Sequence, residues 1–111
     1  MNIANSLSEI KSKIPRYVTL VAVSKTKPVE DVETAYKAGQ LHFGENKIKE
    51  LVSKHDYLPK NIKWHMIGHL QTNKVKYIAP FVHLIHSIDS VKLIKEVNKQ
   101  AIKNNRIINV L

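Results

Sequence analysis

The sequence of 111 residues contains no cysteine, and this absence excludes several classes of protein. Without thiols the chain cannot build a disulfide scaffold, a thiolate zinc site or an iron–sulfur cluster, and it has no cysteine nucleophile. It also lacks an apolar run of roughly 20 residues, the length that crosses a membrane, and Met1 to Ser6 lack the basic start and apolar stretch of a secretory signal. These absences predict a soluble, cytoplasmic protein with no membrane partner.

Glycine is equally scarce, with three residues at positions 39, 44 and 68. Neither GxGxxG nor GxxxxGK[ST] can therefore be written anywhere in the chain. These glycine-rich loops bind phosphate in most nucleotide-binding open sheets. Their absence argues against that class.

Arginine is the third scarce residue: the chain has a net charge of +9, yet only Arg16 and Arg106 among its basic residues are arginines. Bidentate recognition of bases and phosphates favours arginine, and the lysines are scattered over predicted helix faces. A nucleic-acid or interaction module remains an alternative that salt-dependent DNA binding would identify. We expect instead a solvated lysine surface and no nucleic-acid partner.

The apolar pattern predicts one leading helix followed by alternating strands and helices. Ile3, Leu7, Ile10 and Ile14 form a helical stripe that Pro15 ends, which predicts a helix within residues 1–16. Strands are predicted at 18–23, 41–44, 62–68, 82–88 and 106–111. Helices are predicted after Pro28 (closed by Gly39), from Ile48 to a point before Pro59, over 73–79 and over 91–102. This alternation indicates a parallel α/β sheet.

Two architectures fit this alternation: a doubly wound open sheet and a (β/α)8 barrel. Eight barrel units need about 250 residues, whereas this sequence supplies about four and a half and stops inside an apolar strand. We therefore expect residues 1–111 to form a single domain, the N-terminal portion of a longer barrel of the TIM type. Residues 17–111 would supply its βα units.

Lys25 follows the first predicted strand at the edge where barrel enzymes place their functional residues. An apolar setting would lower the pKa of its amine and suit it to attack a carbonyl. The commoner alternative is a lysine that extends its ammonium into water. Lys27, two residues on, is expected to be solvated or to contact an anion.

Phe43-Gly44-Glu45-Asn46 ends the second predicted strand. A Glu-Asn pair at a barrel mouth could bind a polar ligand. Alternatively, Asn46 could be the N-cap of the following helix.

The histidines raise the question of a metal site. His65 and His69 are four residues apart, but on a strand that spacing spans roughly 13 Å, too far for one ion, and His83 and His86 would lie on opposite strand faces. The sequence also contains no HExxH motif. We therefore predict no metal, with the histidines packing near the strand ends.

Further polar residues are expected at the same mouth as Lys25. Asp89 ends the fourth predicted strand, and Gln71 and Asn73 follow the third. A lysine, amides and a carboxylate together suggest a site that binds a carbonyl compound.

Three segments carry a resemblance to a known family: Ala22-Val23-Ser24-Lys25-Thr26-Lys27-Pro28, Phe43-Gly44-Glu45-Asn46, and the stretch from Trp64 to Ile78 beginning Trp64-His65-Met66-Ile67-Gly68-His69-Leu70-Gln71-Thr72-Asn73-Lys74. In this order they resemble the pyridoxal phosphate homeostasis proteins, small single-domain proteins similar to the N-terminal barrel of alanine racemase. The resemblance implies the fold-type III pyridoxal phosphate barrel, here its first four and a half βα units. It also implies the cofactor pyridoxal 5′-phosphate, with Lys25 forming the internal aldimine and Asn46, Ile67 and Gly68 lying near the cofactor.

The function that this resemblance implies is cytoplasmic, non-catalytic binding of pyridoxal phosphate in vitamin B6 homeostasis. The bound aldehyde would be buffered or released to apo-enzymes, and the parent protein would be a monomer. An amino-acid racemase or related enzyme is the alternative. The family's phosphate-binding segment lies in the second half of the barrel, which this sequence does not reach, so we expect weak cofactor binding from these residues.

Overall fold

The computed structural model describes residues 3–111, so Met1 and Asn2 of the predicted leading helix lie outside the described residues. The helices are α1 (Ile3–Lys13), α2 (Val29–Lys37), α3 (Ile48–Tyr57), α4 (Val75–Ile78) and α5 (Val91–Lys103). The strands are β1 (Ala22–Val23), β2 (His42–Glu45), β3 (Lys63–Met66), β4 (Leu84–Ile85) and β5 (Asn109–Val110). A 3₁₀ turn at Thr72–Lys74 precedes α4. Every predicted element is present in the predicted order.

The strands are shorter than predicted, most clearly at the first. Residues 18–23 were expected to be one strand buried on both faces, but only Ala22 and Val23 join the ladder. The Val18 N–H instead donates to the Pro15 carbonyl at 3.0 Å, and the Leu20 carbonyl accepts from the Gln40 side-chain amide at 2.6 Å. Val23, the last residue of this edge strand, is half exposed.

All five strands are parallel and lie in sequential order from β1 to β5. A doubly wound sheet reverses its strand order at a switch point, and this sheet has none. Each strand instead adds beside the one before it, as in a (β/α)8 barrel. The sequential order therefore excludes the doubly wound alternative.

The hydrophobic core lies between the sheet and its helices. Phe43, Trp64, Met66 and Ile85 contribute its strand side and are almost completely buried. The helix side includes Val32, Leu51, Val75, Ile78, Leu93 and Val97. Because side chains alternate along a strand, His65, between Trp64 and Met66, belongs to the opposite face of the sheet.

The predicted end of α2 has a direct structural counterpart. Gly39 has φ +103°, the left-handed conformation expected of the residue that closes α2. Within residues 3–111, every helix is too short or too polar to cross a membrane.

Candidate functional site

Lys25 lies in a tight turn directly after β1. The turn is closed by the Lys27 N–H, which donates to the Ser24 carbonyl at 3.1 Å. Thr26 has φ 62°, a left-handed conformation that is strained for a β-branched residue. Lys25 itself is exposed. The apolar surroundings expected for its side chain are therefore not found, because the turn carries it off the sheet edge.

A buried lysine, Lys54 of α3, holds the residue before Lys25. Its Nζ donates to the Ser24 carbonyl at 2.6 Å, to Glu45 Oε2 at 2.8 Å and to Glu50 Oε2 at 3.4 Å. The Ser24 hydroxyl also donates to Glu45 Oε2. An ammonium group has three protons to donate, so all three are used here.

Glu50 holds the other side of the turn by accepting the Thr26 N–H at 3.2 Å. We call Lys54, Glu45 and Glu50 together the Lys54 clamp. The backbone of Lys25 is thus fixed on one side through Ser24 and on the other through Thr26. This arrangement orders the strained turn while leaving the Lys25 side chain free.

The pKa values of the two clamp carboxylates, Glu45 and Glu50, are shifted in opposite directions. Burial raises the pKa of Glu45, against the opposing effect of its hydrogen bonds from Lys54 and Ser24. The hydrogen bond with Glu45, followed by the one from Thr26, lowers the pKa of Glu50. Within the described residues, Glu45 Oε1 is buried without a hydrogen-bond partner.

The other predicted cofactor residues lie at the neighbouring strand ends. The Ser24 N–H donates to the Gly44 carbonyl at 3.0 Å, and the Ile67 N–H donates to the Glu45 carbonyl at 3.0 Å. Gly68 lies very close to Asn46, the residue after β2. A Cβ built on Gly68 would be 2.5 Å from the Asn46 carbonyl oxygen. The carboxyl ends of β1, β2 and β3 therefore meet where Lys25, Asn46, Ile67 and Gly68 were placed.

The alternative assignment of Asn46 as a helix N-cap is wrong. The N-cap of α3 is Lys47, and no side chain caps that end of the helix. Asn46 precedes it, in the connection between β2 and α3.

The structure places the predicted carboxylate and amides elsewhere. Asp89, Gln71 and Asn73 line a surface depression of about 810 Å³ beside α5, and Lys25 is not among its lining residues. Asp89 lies 3.5 Å from His69 Nδ1, with both side chains exposed. These three residues therefore do not share one site with Lys25, because the connection after β3 turns towards α5.

Four histidines converge on the sheet face opposite the core. His42 Nδ1 lies 2.9 Å from His65 Nε2, and His65 Nδ1 lies 2.8 Å from His86 Nε2. The ring of His83 is 5.3 Å from that of His42 and 5.4 Å from that of His65, measured between centroids. Burial, followed by the neighbouring histidines, lowers the pKa of His65 to about 4. The imidazole of His65 is therefore neutral at pH 7.

Sequence reasoning missed the Lys54 clamp and this histidine group. A signal for the clamp existed in the i, i+4 spacing of Glu50 and Lys54 on a predicted helix. The histidines were compared only within single segments, whereas the group joins residues from three different segments.

No protein-family model matches the chain. Curated relatives do: the pyridoxal phosphate homeostasis protein of Aquifex aeolicus is 44% identical over 93 residues, which are 83% of this chain and 41% of that protein. The protein of the same name from Haemophilus influenzae is 38% identical over an alignment that covers all of this chain and 52% of that protein. The chain thus spans about half the length of the curated relatives it matches.

Solved structures give the same result. PipY of Synechococcus elongatus with PLP bound matches with a TM-score of 0.92 and 37% identity, over 98% of this chain and 52% of that one. Alanine racemase of E. faecalis matches with a TM-score of 0.79 at 15% identity, over 97% of this chain and 30% of that one, a likeness of fold alone. The predicted barrel class is confirmed, and the chain is a homologue of the pyridoxal phosphate homeostasis proteins.

Proposed function

We propose that this chain binds pyridoxal phosphate through Lys25 and serves intracellular vitamin B6 homeostasis as a binding protein without catalytic turnover. The observation that carries the proposal is the clamped turn. An exposed amine stands on a backbone that Lys54 and Glu50 fix on both sides. The support from homology is the bound PLP in the PipY structure.

The residues present fit the aldehyde end of this cofactor. Pyridoxal phosphate supplies an electrophilic aldehyde, and only a neutral lysine amine attacks such a carbon. Lys25 is accessible to it. Gly68, which has no side chain, packs directly against the Asn46 backbone at the neighbouring strand ends.

The test is covalent labelling of the chain with substoichiometric pyridoxal phosphate, followed by borohydride reduction and mass spectrometry. We expect the adduct on Lys25 and its loss in Lys25→Ala. Lys27→Ala is the matched control, because Lys27 is exposed in the same turn, and it should keep the adduct. Labelling spread evenly over the surface lysines in all three proteins would contradict the proposal.

The remaining parts of the proposal concern the whole protein. We propose a cytoplasmic monomer that supplies the cofactor to apo-enzymes, with residues 1–111 forming the N-terminal portion of its barrel. The match to about half of each relative supports this assignment. The racemase alternative has only the likeness of fold in its favour, and a racemisation assay with alanine tests it directly.

A further inference from the structure

We propose that His42, His65 and His83 form a binding site for a divalent transition-metal ion, with Zn²⁺ the ion that fits best. Each of the three offers one ring nitrogen, and these nitrogens all lie within 4.8 Å of one another. This site is separate from the proposed cofactor site and does not depend on it.

One pair of these nitrogens lies close to the spacing of a three-histidine zinc site. With Zn–N bonds of about 2.0–2.1 Å and tetrahedral angles, ligand nitrogens lie about 3.3 Å apart. His42 Nδ1 and His65 Nε2 are 2.9 Å apart, so a small widening admits an ion between them. The three nitrogens lie within 4.8 Å of one another, so metal binding also requires the more distant of them to approach.

The surroundings give the site an oriented ligand and an open position. Ligating histidines commonly donate their second ring N–H to another group, which fixes tautomer and orientation. His86 Nε2, 2.8 Å from His65 Nδ1, is placed to accept that proton. His42 and His83 are only partly buried, which leaves room for a water molecule as the fourth ligand.

The donor set selects the kind of ion. Three imidazoles without a carboxylate or thiolate suit zinc, copper or nickel rather than magnesium or calcium. The nearby positive charges of Lys63, Lys11 and Arg106 act on His42 or His83. Their repulsion weakens the affinity of the site for a cation.

The metal site lies apart from the Lys25 turn. His42 is the first residue of β2, whereas Asn46 follows its last residue. Four residues of strand span about 13 Å. Ligands at the two places can therefore bind independently.

The experiment is titration of the chelator-stripped 111-residue chain with zinc chloride by isothermal calorimetry. We expect one ion per chain, and a loss of affinity of at least about tenfold in His42→Asn and in His83→Asn. Both side chains are partly exposed, and circular dichroism verifies the fold of each variant. His69→Asn is the matched control, since that histidine is exposed and outside the group, and it should bind as the unmodified chain does.

Binding that is unchanged in both variants, or reduced equally by His69→Asn, would overturn the proposal. Lys25→Ala should leave the zinc titration unchanged. That variant separates this inference from the proposed function, because either site can fail alone.

Discussion

The charged side chain of Lys54 is buried, with only 7% of it exposed. Burial of a charge is tolerated when it is paired and fully hydrogen-bonded, and the Lys54 ammonium meets both conditions. Its partners belong to the turn after β1, to the end of β2 and to α3 itself. A single side chain therefore joins three consecutive pieces of the chain around Lys25.

Removing that side chain is expected to be costly. We predict that Lys54→Met lowers the free energy of unfolding by about 3–5 kcal/mol, because it leaves the Glu45 carboxylate buried and unpaired. Urea denaturation measures the change, and Lys49→Met on the exposed face of α3 is the control. The double variant Lys54→Met with Glu45→Leu should recover part of the loss. A double variant less stable than Lys54→Met would contradict the pairing argument.

Gly68 is required by backbone packing. The Cβ of an alanine at this position would lie 2.5 Å from the Asn46 carbonyl oxygen and 2.9 Å from the Asn46 Cα. These are backbone atoms that cannot rotate away, so we predict a loss of about 1–3 kcal/mol in Gly68→Ala by urea denaturation. Gly44→Ala should cost less, because its Cβ would meet side-chain atoms of Ile67 and Val21 at 3.1–3.3 Å. Equal losses would refute this distinction.

Among the elements, α3 is joined to the segment before β4 by a stacked ring pair. The rings of His55 and Phe81 lie 3.8 Å apart between centroids and are inclined by 10°. Burial, followed by the charge of Lys60, lowers the pKa of His55 below 6.5. Protonation of His55 therefore opposes the packing of α3.

The lowered pKa of His55 makes the free energy of unfolding depend on pH, and the sign of that dependence follows from the direction of the shift. Between the lowered folded-state pKa and the unfolded value near 6.5, the unfolded chain binds more protons, so stability falls as pH falls through this window. We predict that His55→Phe, which keeps the stack without the titration, gains stability relative to the unmodified chain as pH drops from about 7.5 to 5. Urea denaturation at several pH values measures the difference. A difference independent of pH would exclude His55 as the cause.

On the scale of the whole molecule, the charge of +9 is spread over several helices. Exposed lysines lie on α1, α2, α3 and α5 rather than at one groove. We predict that the chain shows no binding of duplex DNA at salt concentrations from roughly 50 to 200 mM, because its scattered lysines offer no single groove to the phosphates. Fluorescence anisotropy with two unrelated duplexes tests it. Sequence-specific binding at the higher salt would restore the nucleic-acid alternative.

The sequence was sufficient to predict the order and type of the elements, because each carries a local apolar period and a clear end such as Pro15 or Gly39. It could not give the lengths of the strands. At β1, for example, the Gln40 side chain takes the Leu20 carbonyl from the ladder, a contact that no local pattern encodes.

The site was predictable to the same extent. Lys25 and Asn46 follow predicted strands, and Ile67 and Gly68 end the third predicted strand, so their common edge could be expected. The Lys54 clamp could not be predicted in full, because it depends on how α3 packs against the ends of β1 and β2. The histidine group could not be predicted, because it depends on the register that sets Gly44 opposite His65. Register between strands is fixed by tertiary packing, which a single sequence shows only in part.

The sequential strand order has a consequence for how the chain folds. Each strand finds its partner in the next strand along, as when Ala22 pairs with Phe43 and Phe43 with Trp64. The paired residues are 19 to 25 positions apart in every case, so no strand has to find its partner at the far end of the chain. We therefore expect assembly unit by unit, in which β5 can detach at its edge while the ladder from β1 to β4 remains intact.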